Sequence, residues 1–136
     1  KHESDLPFGK GYGLVAAEFK RAITRLSLLP YGLVMISHSK EEEVDTRTGK
    51  IKKTVPTLSN QGRAVIAGMA DMILFFDMIV EGKEYKRVIR TKPAAHYEAG
   101  DRTGSLPETI ELDRGAEQAF NAFKEAYETA KREGGK

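Results

Sequence analysis

The chain has 136 residues, and 40% of them are hydrophobic, which is enough for one compact domain with its own core. Its 22 basic and 20 acidic residues give a net charge of +2, so the overall charge does not indicate a nucleic-acid-binding protein. The absence of cysteine excludes disulfides and thiolate metal sites, and it fits a reducing cytoplasm.

No segment has the pattern of a signal peptide or a membrane span. The longest apolar stretch, residues 64–80, is too short to cross a bilayer and contains Asp71 and Asp77. The sequence begins at Lys1, in a polar stretch without an initiator methionine. We therefore expect a fragment of a longer protein.

Hydrophobic periodicity predicts a helix over residues 14–28, preceded by a loop that carries three glycines within residues 9–13. The apolar run of residues 32–36 indicates a central strand covered on both faces. A helix followed by a buried strand favours a parallel sheet.

The middle of the chain contains a predicted hairpin that projects from the domain. Residues 41–58 are polar, and two strand-like stretches flank a Thr-Gly turn. Ser59 is the predicted N-cap of a short helix over residues 61–70. That helix leads into a predicted strand over residues 72–80.

A tight turn then predicts a second strand, residues 85–89, antiparallel to the first. Residues 93–107 are predicted to form a long irregular loop, followed by a short edge strand at residues 109–112. Asp113 is the predicted N-cap of a last helix over residues 115–132. One face of this helix is apolar: Ala116, Ala119, Phe120, Phe123 and Tyr127.

The glycine-rich start allows two interpretations. Backbone N–H groups of a glycine loop can approach a phosphate, but no strand precedes this loop and no Gly-Lys-Ser/Thr follows it, so a flexible entry to the helix is favoured. The chain also lacks any G-x-x-x-x-G-K-[S/T] sequence and any acidic strand end ahead of the first helix that could hold Mg²⁺. We therefore expect this chain alone to be inactive as an ATPase.

Ser37 and His38 follow the predicted strand at residues 32–36. Open α/β sheets bind ligands at the carboxyl ends of their strands, and an imidazole there could contact a phosphate oxygen or orient a water. The alternative is a strand-end histidine whose ring is satisfied by the backbone. His2, His38 and His96 lack the spacing of metal ligands, so no metal site is predicted.

Arg90 and Lys92 follow the predicted strand at residues 85–89 and alternate with Thr91. On a strand, alternate side chains point to the same face, so the two cations could together neutralise a phosphate, including one on a neighbouring subunit. The alternative is a solvated strand end with ordinary surface charge.

The predicted hairpin is basic at four positions: Arg47, Lys50, Lys52 and Lys53. A mobile cationic loop suits contact with a nucleic-acid backbone, which depends on salt rather than on base sequence. Three glutamates, residues 41–43, dilute this charge, and no aromatic side chain is available for base stacking. A solvated hairpin without a partner is therefore the alternative.

Several strings occur together in a characteristic order. They are Gly-Leu-Val-Met-Ile-Ser-His-Ser, Pro-Thr-Leu-Ser-Asn-Gln-Gly-Arg-Ala-Val, Ala-Asp-Met-Ile-Leu-Phe-Phe, Arg-Thr-Lys-Pro and Tyr-Glu-Ala-Gly-Asp-Arg-Thr-Gly. With this order, residues 8–112 resemble the phage AAA-type nucleotide-binding proteins, which are RecA-like ATPases associated with single-strand annealing recombination.

The resemblance implies an α/β fold: a partial RecA-like P-loop NTPase core, a mixed sheet with flanking helices and the projecting hairpin. Residues 1–112 would form the carboxy-terminal part of that core, and residues 113–136 a C-terminal helix. In such cores His38, with Ser37, stands where the γ-phosphate is sensed. Arg90 and Lys92 match the basic pair that reaches ATP on the next protomer, and residues 39–60 lie where mobile DNA-binding loops occur.

The function implied is that of a fragment of an ATP-binding phage DNA-recombination protein. Its parent would use ATP and Mg²⁺, bind single-stranded DNA, form a homo-oligomer and act in the host cytoplasm, without a membrane partner. The P-loop and acidic strand of relatives precede the matched region, so this chain would supply only sensor and trans-acting residues. The alternative is a non-catalytic nucleic-acid-binding or assembly module.

Overall fold

The structure, a computed structural model, describes residues 10–112 and 115–133. The elements in chain order are α1 (Lys10–Ser27), β1 (Ser39–Thr46), β2 (Gly49–Pro56), α2 (Asn60–Met69), β3 (Met72–Ile73), β4 (Phe75–Glu81), β5 (Glu84–Arg90), β6 (Gly100–Asp101), β7 (Thr109–Leu112) and α3 (Ala116–Glu133). They fall into two compact units, the first with described residues 10–40 and 56–70, the second with the remainder. A mixed α/β fold with small sheets is thereby confirmed.

The first unit is built on the contact between α1 and α2. Ser59 caps α2 as predicted, because its hydroxyl oxygen accepts a hydrogen bond from the backbone N–H of Gly62 at 3.1 Å. Gly62 of α2 lies close to α1, since a Cβ atom placed on it would make an ordinary contact of 3.8 Å with the ring of Phe19. Ile23 of α1 is buried.

The predicted glycine loop is wrong for the residues that the structure describes. α1 begins at Lys10, so Gly11 and Gly13 lie inside the helix, while Gly9 lies outside the described residues. Helix growth is cooperative, and each residue added to an existing helix gains one backbone hydrogen bond. The helix therefore extends through two glycines, although each costs about 1 kcal/mol relative to alanine.

The predicted central strand at residues 32–36 is also wrong. The segment has no regular secondary structure, and Val34 and Ile36 are 85% and 96% exposed. An apolar run favours burial, but a strand also needs neighbours that exchange backbone hydrogen bonds with it. Within residues 10–112 and 115–133, no strand pairs with this segment.

The second unit contains a three-stranded sheet in the order β4-β5-β7. Both of its pairings are antiparallel, with Phe76 opposite Ile89 and Ile89 opposite Ile110. The predicted antiparallel pair and the predicted edge strand at residues 109–112 are thus confirmed. The predicted parallel sheet is not, since the β3–β6 pair is antiparallel as well.

α3 packs against β7 and closes the main core of this unit. Ile89, Ile110 and Leu112 are buried there, and the residues packed against them include Ala119, Ala122, Phe123, Ala126 and Leu74. The predicted apolar face of α3 is only partly correct, because Phe120 is 64% exposed. The stripe that meets the sheet is centred on small alanines, and Phe120 lies to one side of it.

The polar hairpin forms as predicted from β1 and β2. Gly49, at the start of β2, has a φ of +130°, a conformation that side-chain-bearing residues rarely adopt. The C-terminal end of β2 is hydrogen-bonded to residues 94–98. The N–H of Thr54 donates to the carbonyl of His96 at 2.8 Å, and the N–H of Glu98 donates to the carbonyl of Thr54 at 3.0 Å.

Two predicted boundaries need correction. The strand expected over residues 72–80 is interrupted at Leu74, which separates β3 from β4. The loop expected to be irregular over residues 93–107 contributes β6, which pairs with β3 so that Met72 faces Asp101. The break falls where the chain changes its partner strand, since β3 pairs with β6 and β4 pairs with β5, and Leu74 between them packs against the core. In the part of the chain that the structure describes, no helix has both the length and the apolar character needed to cross a membrane.

Candidate functional site

The strand end at Arg90, Thr91 and Lys92 is held firmly by β7 and the residues before it. Thr91 is fully buried, its N–H donates to the carbonyl of Glu108 at 3.1 Å, and its hydroxyl donates to the carbonyl of Pro107 at 2.6 Å. The side chains of Arg90 and Lys92, by contrast, keep 23% and 32% of their surface exposed. This is the alternation that extended backbone requires, with one cation on each side of a buried threonine.

Arg90 lies in a small polar and aromatic cluster on β4, β5 and the 93–99 loop. Its Nε is 3.4 Å from a carboxylate oxygen of Asp77, and its Nη1 donates to the hydroxyl of Thr109 at 3.0 Å. The guanidinium carbon lies 5.9 Å from the ring centre of Tyr97, which in turn stacks on Phe75 with 5.3 Å between ring centres. These contacts fix the planar guanidinium in one orientation.

Lys92 is held by the turn that follows β6. Its ammonium donates to the carbonyl of Gly104 at 2.9 Å and lies 3.6 Å from Oδ2 of Asp101. The Asp101 side chain is completely buried and also accepts hydrogen bonds from the N–H of Leu106 at 2.9 Å and from the N–H and hydroxyl of Thr103 at 3.0 and 2.7 Å.

The ionised form of Asp101 is favoured by these contacts. Burial alone would favour the neutral acid, but the donors from Leu106 and Thr103, together with the charge of Lys92, outweigh it. The pKa of Asp101 therefore lies below its ordinary value of 3.8. Lys92 is thus positioned by a carboxylate that remains charged at neutral pH.

A third cation of the same sheet, Lys86, is bound more completely. Its ammonium bridges Glu81 and Glu111, at 3.1 Å from the latter, and the hydrogen bonds to these carboxylates raise the pKa of Lys86 to about 12. Two carboxylates neutralise Lys86, whereas Arg90 and Lys92 each face one. The latter two are therefore the better candidates for contact with an external anion.

Sequence reasoning missed Asp77, Asp101 and Tyr97, which orient the two cations. The Asp-Arg-Thr spacing at residues 101–103 was a usable signal, because an aspartate that accepts from the residue two positions later forms a recognisable turn. The role of Tyr97 had no such local signal, since its partners Phe75 and Arg90 come from other parts of the chain.

Ser37 and His38 lie in the first unit, in an exposed segment just before β1. The hydroxyl of Ser37 donates to the carbonyl of His38 at 2.9 Å, and the same carbonyl accepts the N–H of Thr57 at 2.7 Å. The backbone of His38 is therefore engaged, while its imidazole faces solvent. The assignment of both residues to a phosphate sensor remains a prediction.

The hairpin cations fall into two pairs. Lys50 and Lys52 face glutamates of β1, with 3.6 Å from Lys50 Nζ to Glu43 and 3.5 Å from Lys52 Nζ to Glu41. Arg47 and Lys53 have no carboxylate within 4 Å among the residues that the structure describes. The available positive charge is thus smaller than the sequence suggests.

Across the described ranges, no group of three or more histidine, cysteine, aspartate or glutamate side chains is arranged to hold a metal ion. The expectation that this chain has no metal site of its own stays a prediction. Asp77 and Asp101, the acidic groups nearest the candidate cations, are each engaged with a basic side chain.

Comparison with known proteins identifies a family for this chain. No curated protein and no solved structure shows significant similarity to the chain. A family model described as an AAA domain matches residues 1–103, which include β1–β6 and the strand end at Arg90–Lys92. The match covers well over half of the 136 residues, and the chain belongs to this AAA-domain family.

Proposed function

We propose that this chain supplies the trans-acting part of an ATP site in an oligomeric, nucleotide-binding ATPase that works on single-stranded DNA in phage recombination. The observation that carries the proposal is the strand end at Arg90, Thr91 and Lys92. In an AAA-type ATPase, a cation offered by one subunit to the nucleotide on the next stabilises the charge of the transferred phosphoryl group.

The geometry supports a role that needs precise positioning. Thr91 is anchored by two hydrogen bonds, so the backbone between the cations has little freedom. The carboxylates lie 3.4 Å from Arg90 and 3.6 Å from Lys92, longer than the roughly 2.8 Å of a strong charge-assisted hydrogen bond. A phosphate can therefore compete for both cations, because each is oriented but incompletely neutralised.

The residues present fit part of the nucleotide. Arg90 and Lys92 suit the phosphate oxygens of ATP bound to the next subunit. In a separate role, the imidazole of His38 and the hydroxyl of Ser37 suit the γ-phosphate of ATP bound to their own subunit. The bound ATP and Mg²⁺ would supply the reactive phosphoryl group and its charge neutralisation. The phosphate-binding loop must come from polypeptide other than these 136 residues, because they contain no such motif.

The decisive measurement is the ATPase rate of an assembly that contains this chain together with a phosphate-binding loop. Lys92→Ala should lower kcat by about 10³-fold or more, the usual effect of losing a trans-acting cation. Lys83→Ala, in the exposed turn between β4 and β5, is the matched control and should leave the rate unchanged.

Mixing distinguishes action in trans from action within one subunit. Subunits with Lys92→Ala should regain activity when mixed with subunits whose phosphate-binding loop is inactivated, because one mixed interface then contains both intact halves. An undiminished rate in Lys92→Ala would refute the proposal. So would a loss of rate that mixing does not restore.

A second candidate, a nucleic-acid-binding module without catalysis, is favoured by the exposed hairpin. Arg47 and Lys53 have no carboxylate partner in the described part of the chain, so their charge is available to a phosphate backbone. Binding of a fluorescent oligothymidylate should weaken in Arg47→Glu and Lys53→Glu. The slope of log binding constant against log salt concentration should become shallower by about 0.7 for each phosphate contact that is lost. If binding and its salt dependence are the same in these variants as in Lys83→Glu, the hairpin is not the nucleic-acid-binding site.

A further inference from the structure

A tight turn from outside the hairpin lies against the edge of β2. Ala94 and Tyr97 pair as antiparallel neighbours, so Ala95 and His96 form the turn between them. The carbonyl of His96 accepts the N–H of Thr54 at 2.8 Å. The folded chain thus places the side chain of this turn beside the basic strand of the hairpin.

The imidazole of His96 is held by a second contact. Its Nδ1 lies 3.3 Å from the carbonyl oxygen of Lys52, which faces the same edge of β2 as the N–H of Thr54. A carbonyl oxygen only accepts hydrogen bonds, so Nδ1 carries the hydrogen and donates it. His96 is therefore fixed to β2 through both its backbone and its ring, and yet it is exposed.

An exposed ring in a fixed orientation is suited to stacking. Residues 39–56, which form the hairpin, contain no aromatic side chain, and His96 supplies one beside them. Nucleobases stack on aromatic side chains, histidine among them, with little regard to base identity. A ring that is already oriented loses little conformational freedom when a base stacks on it.

Positive charge adjoins this ring along the strand. Lys53 directly follows the carbonyl that holds His96, and it has no carboxylate partner in the described part of the chain. Gly49, which follows the turn containing Arg47, lies three residues before Lys52, about 10 Å along β2. A few nucleotides can thus meet both cations while one base lies on the imidazole.

We infer that His96, Lys53 and Arg47 form a binding site for single-stranded nucleic acid, in which one base stacks on the imidazole of His96. The inference rests on the nucleic-acid role proposed for the hairpin, and it adds a base contact to the phosphate contacts of the cations. In a duplex the faces of the bases are covered by neighbouring base pairs, whereas in a single strand they are open to side chains. The ligand class is therefore a single strand.

Tyr97, the other aromatic residue of this segment, is not available for the same role. Its ring stacks on Phe75 with 5.3 Å between ring centres, and the guanidinium carbon of Arg90 lies 5.9 Å from its centre. Tyr97 is also half-buried, whereas His96 is exposed. Within residues 94–98, His96 is the aromatic side chain that a base can reach.

The alternative is that His96 only extends the hydrogen bonding at the edge of β2. Its removal would then disturb the hairpin and weaken binding of any sugar-phosphate backbone, with or without bases. Stacking instead predicts a loss that is confined to ligands that carry bases. The two roles are separated by a ligand without bases.

Fluorescence anisotropy with two labelled single strands tests the inference. One is an oligothymidylate, and the other is an abasic strand of the same length with the sugar-phosphate backbone alone. His96→Ala should weaken binding of the oligothymidylate by about 5-fold or more, the lower end of the effect of losing one stacked base. Binding of the abasic strand should be unchanged, and His96→Phe, which keeps an aromatic ring, should restore most of the affinity for the oligothymidylate.

Tyr85→Ala is the matched control. Tyr85 is 69% exposed and belongs to the same unit. It lies near the start of β5, about 17 Å along the strand from Arg90, which is the end that Tyr97 contacts. Tyr85→Ala should bind both strands like the unmodified chain.

A second measurement uses the absence of native tryptophan. The fluorescence of His96→Trp should be quenched when the oligothymidylate binds, because a base then stacks on the indole, and should stay unchanged with the abasic strand. In Tyr85→Trp neither strand should quench the fluorescence.

Equal affinities of His96→Ala and the unmodified chain for the oligothymidylate would overturn the inference. The hairpin's proposed role would then stand if Arg47→Glu and Lys53→Glu still weaken binding. An equal loss for both strands in His96→Ala would also overturn the inference. Failure of the unmodified chain to bind either strand would remove both the inference and the hairpin's role. These assays contain no ATP, so the ATPase proposal is tested separately.

Discussion

The buried carboxylate of Asp101 provides the sharpest prediction of stability. Asp101→Asn keeps the size of the side chain but replaces one acceptor oxygen with an NH₂ group. In the folded chain this carboxylate accepts hydrogen bonds from Leu106 and Thr103 and lies 3.6 Å from the ammonium of Lys92. The amide can satisfy only part of this set, so at least one donor is left facing another donor.

The expected fall in the free energy of unfolding follows from the donor that Asp101→Asn leaves without an acceptor. A buried donor left without an acceptor costs about 1–3 kcal/mol, and more when a charge is involved. We expect Asp101→Asn to lower the free energy of unfolding by about 2–4 kcal/mol. With a urea m-value of about 1–3 kcal/mol per molar, the unfolding midpoint should fall by about 1–2 M.

Urea unfolding of purified variants, followed by circular dichroism, measures the effect. Asp71→Asn is the matched control, because the Asp71 side chain is 80% exposed and its only described ion pair, to Arg102, spans 3.9 Å. That variant should stay within about 0.5 kcal/mol of the unmodified chain. Equal midpoints for Asp101→Asn and Asp71→Asn would refute the structural role given to Asp101.

Three further predictions concern folding of the same chain. The pKa of Asp101 is lowered in the folded state, so its contribution to the free energy of unfolding is present above the pKa of the unfolded chain and is lost as pH falls through the pKa of the folded chain. The difference in urea midpoint between Asp101→Asn and the unmodified chain should therefore shrink below about pH 4, which urea unfolding at a series of acidic pH values would measure. Gly82→Ala should cost about 1 kcal/mol in urea unfolding because Gly82 has a φ of +65°, whereas Gly100→Ala, where φ is not positive and a Cβ meets nothing within 4 Å, should cost less. Ser59→Ala should cost about 1 kcal/mol through loss of the α2 cap, with Ser59→Asn near neutral.

Local signals in the sequence were sufficient for several elements. The cap at Ser59, the turn at Gly82 and the alternation around Thr91 each depend on a few neighbouring residues, and the structure contains all three. The last helix was also predicted to within about a residue at its start, because its apolar stripe repeats over several turns.

Several of the failed predictions have one physical cause, which is dependence on distant partners; the glycine loop is an exception, since cooperative helix growth along neighbouring residues overrode it. The run at residues 32–36 is as apolar as a central strand, yet pairing requires a neighbour that no local pattern specifies. Phe120 fits the helical repeat but lies beyond the width of sheet that α3 covers. Asp77 gave no local signal, and the turn signal at Asp101 did not specify its cation, because each carboxylate meets its basic partner only after the chain has folded back.

The burial of Thr91 has a consequence for how relatives of this chain can vary. A shift of one residue along β5 would turn Thr91 outward and force a cation into the space it fills, beside the carbonyls of Pro107 and Glu108. Insertions and deletions should therefore be absent between Ile89 and Lys92. They should be tolerated in the exposed β4–β5 turn, so the spacing of the two cations is a sequence feature by which relatives with the same strand end can be found.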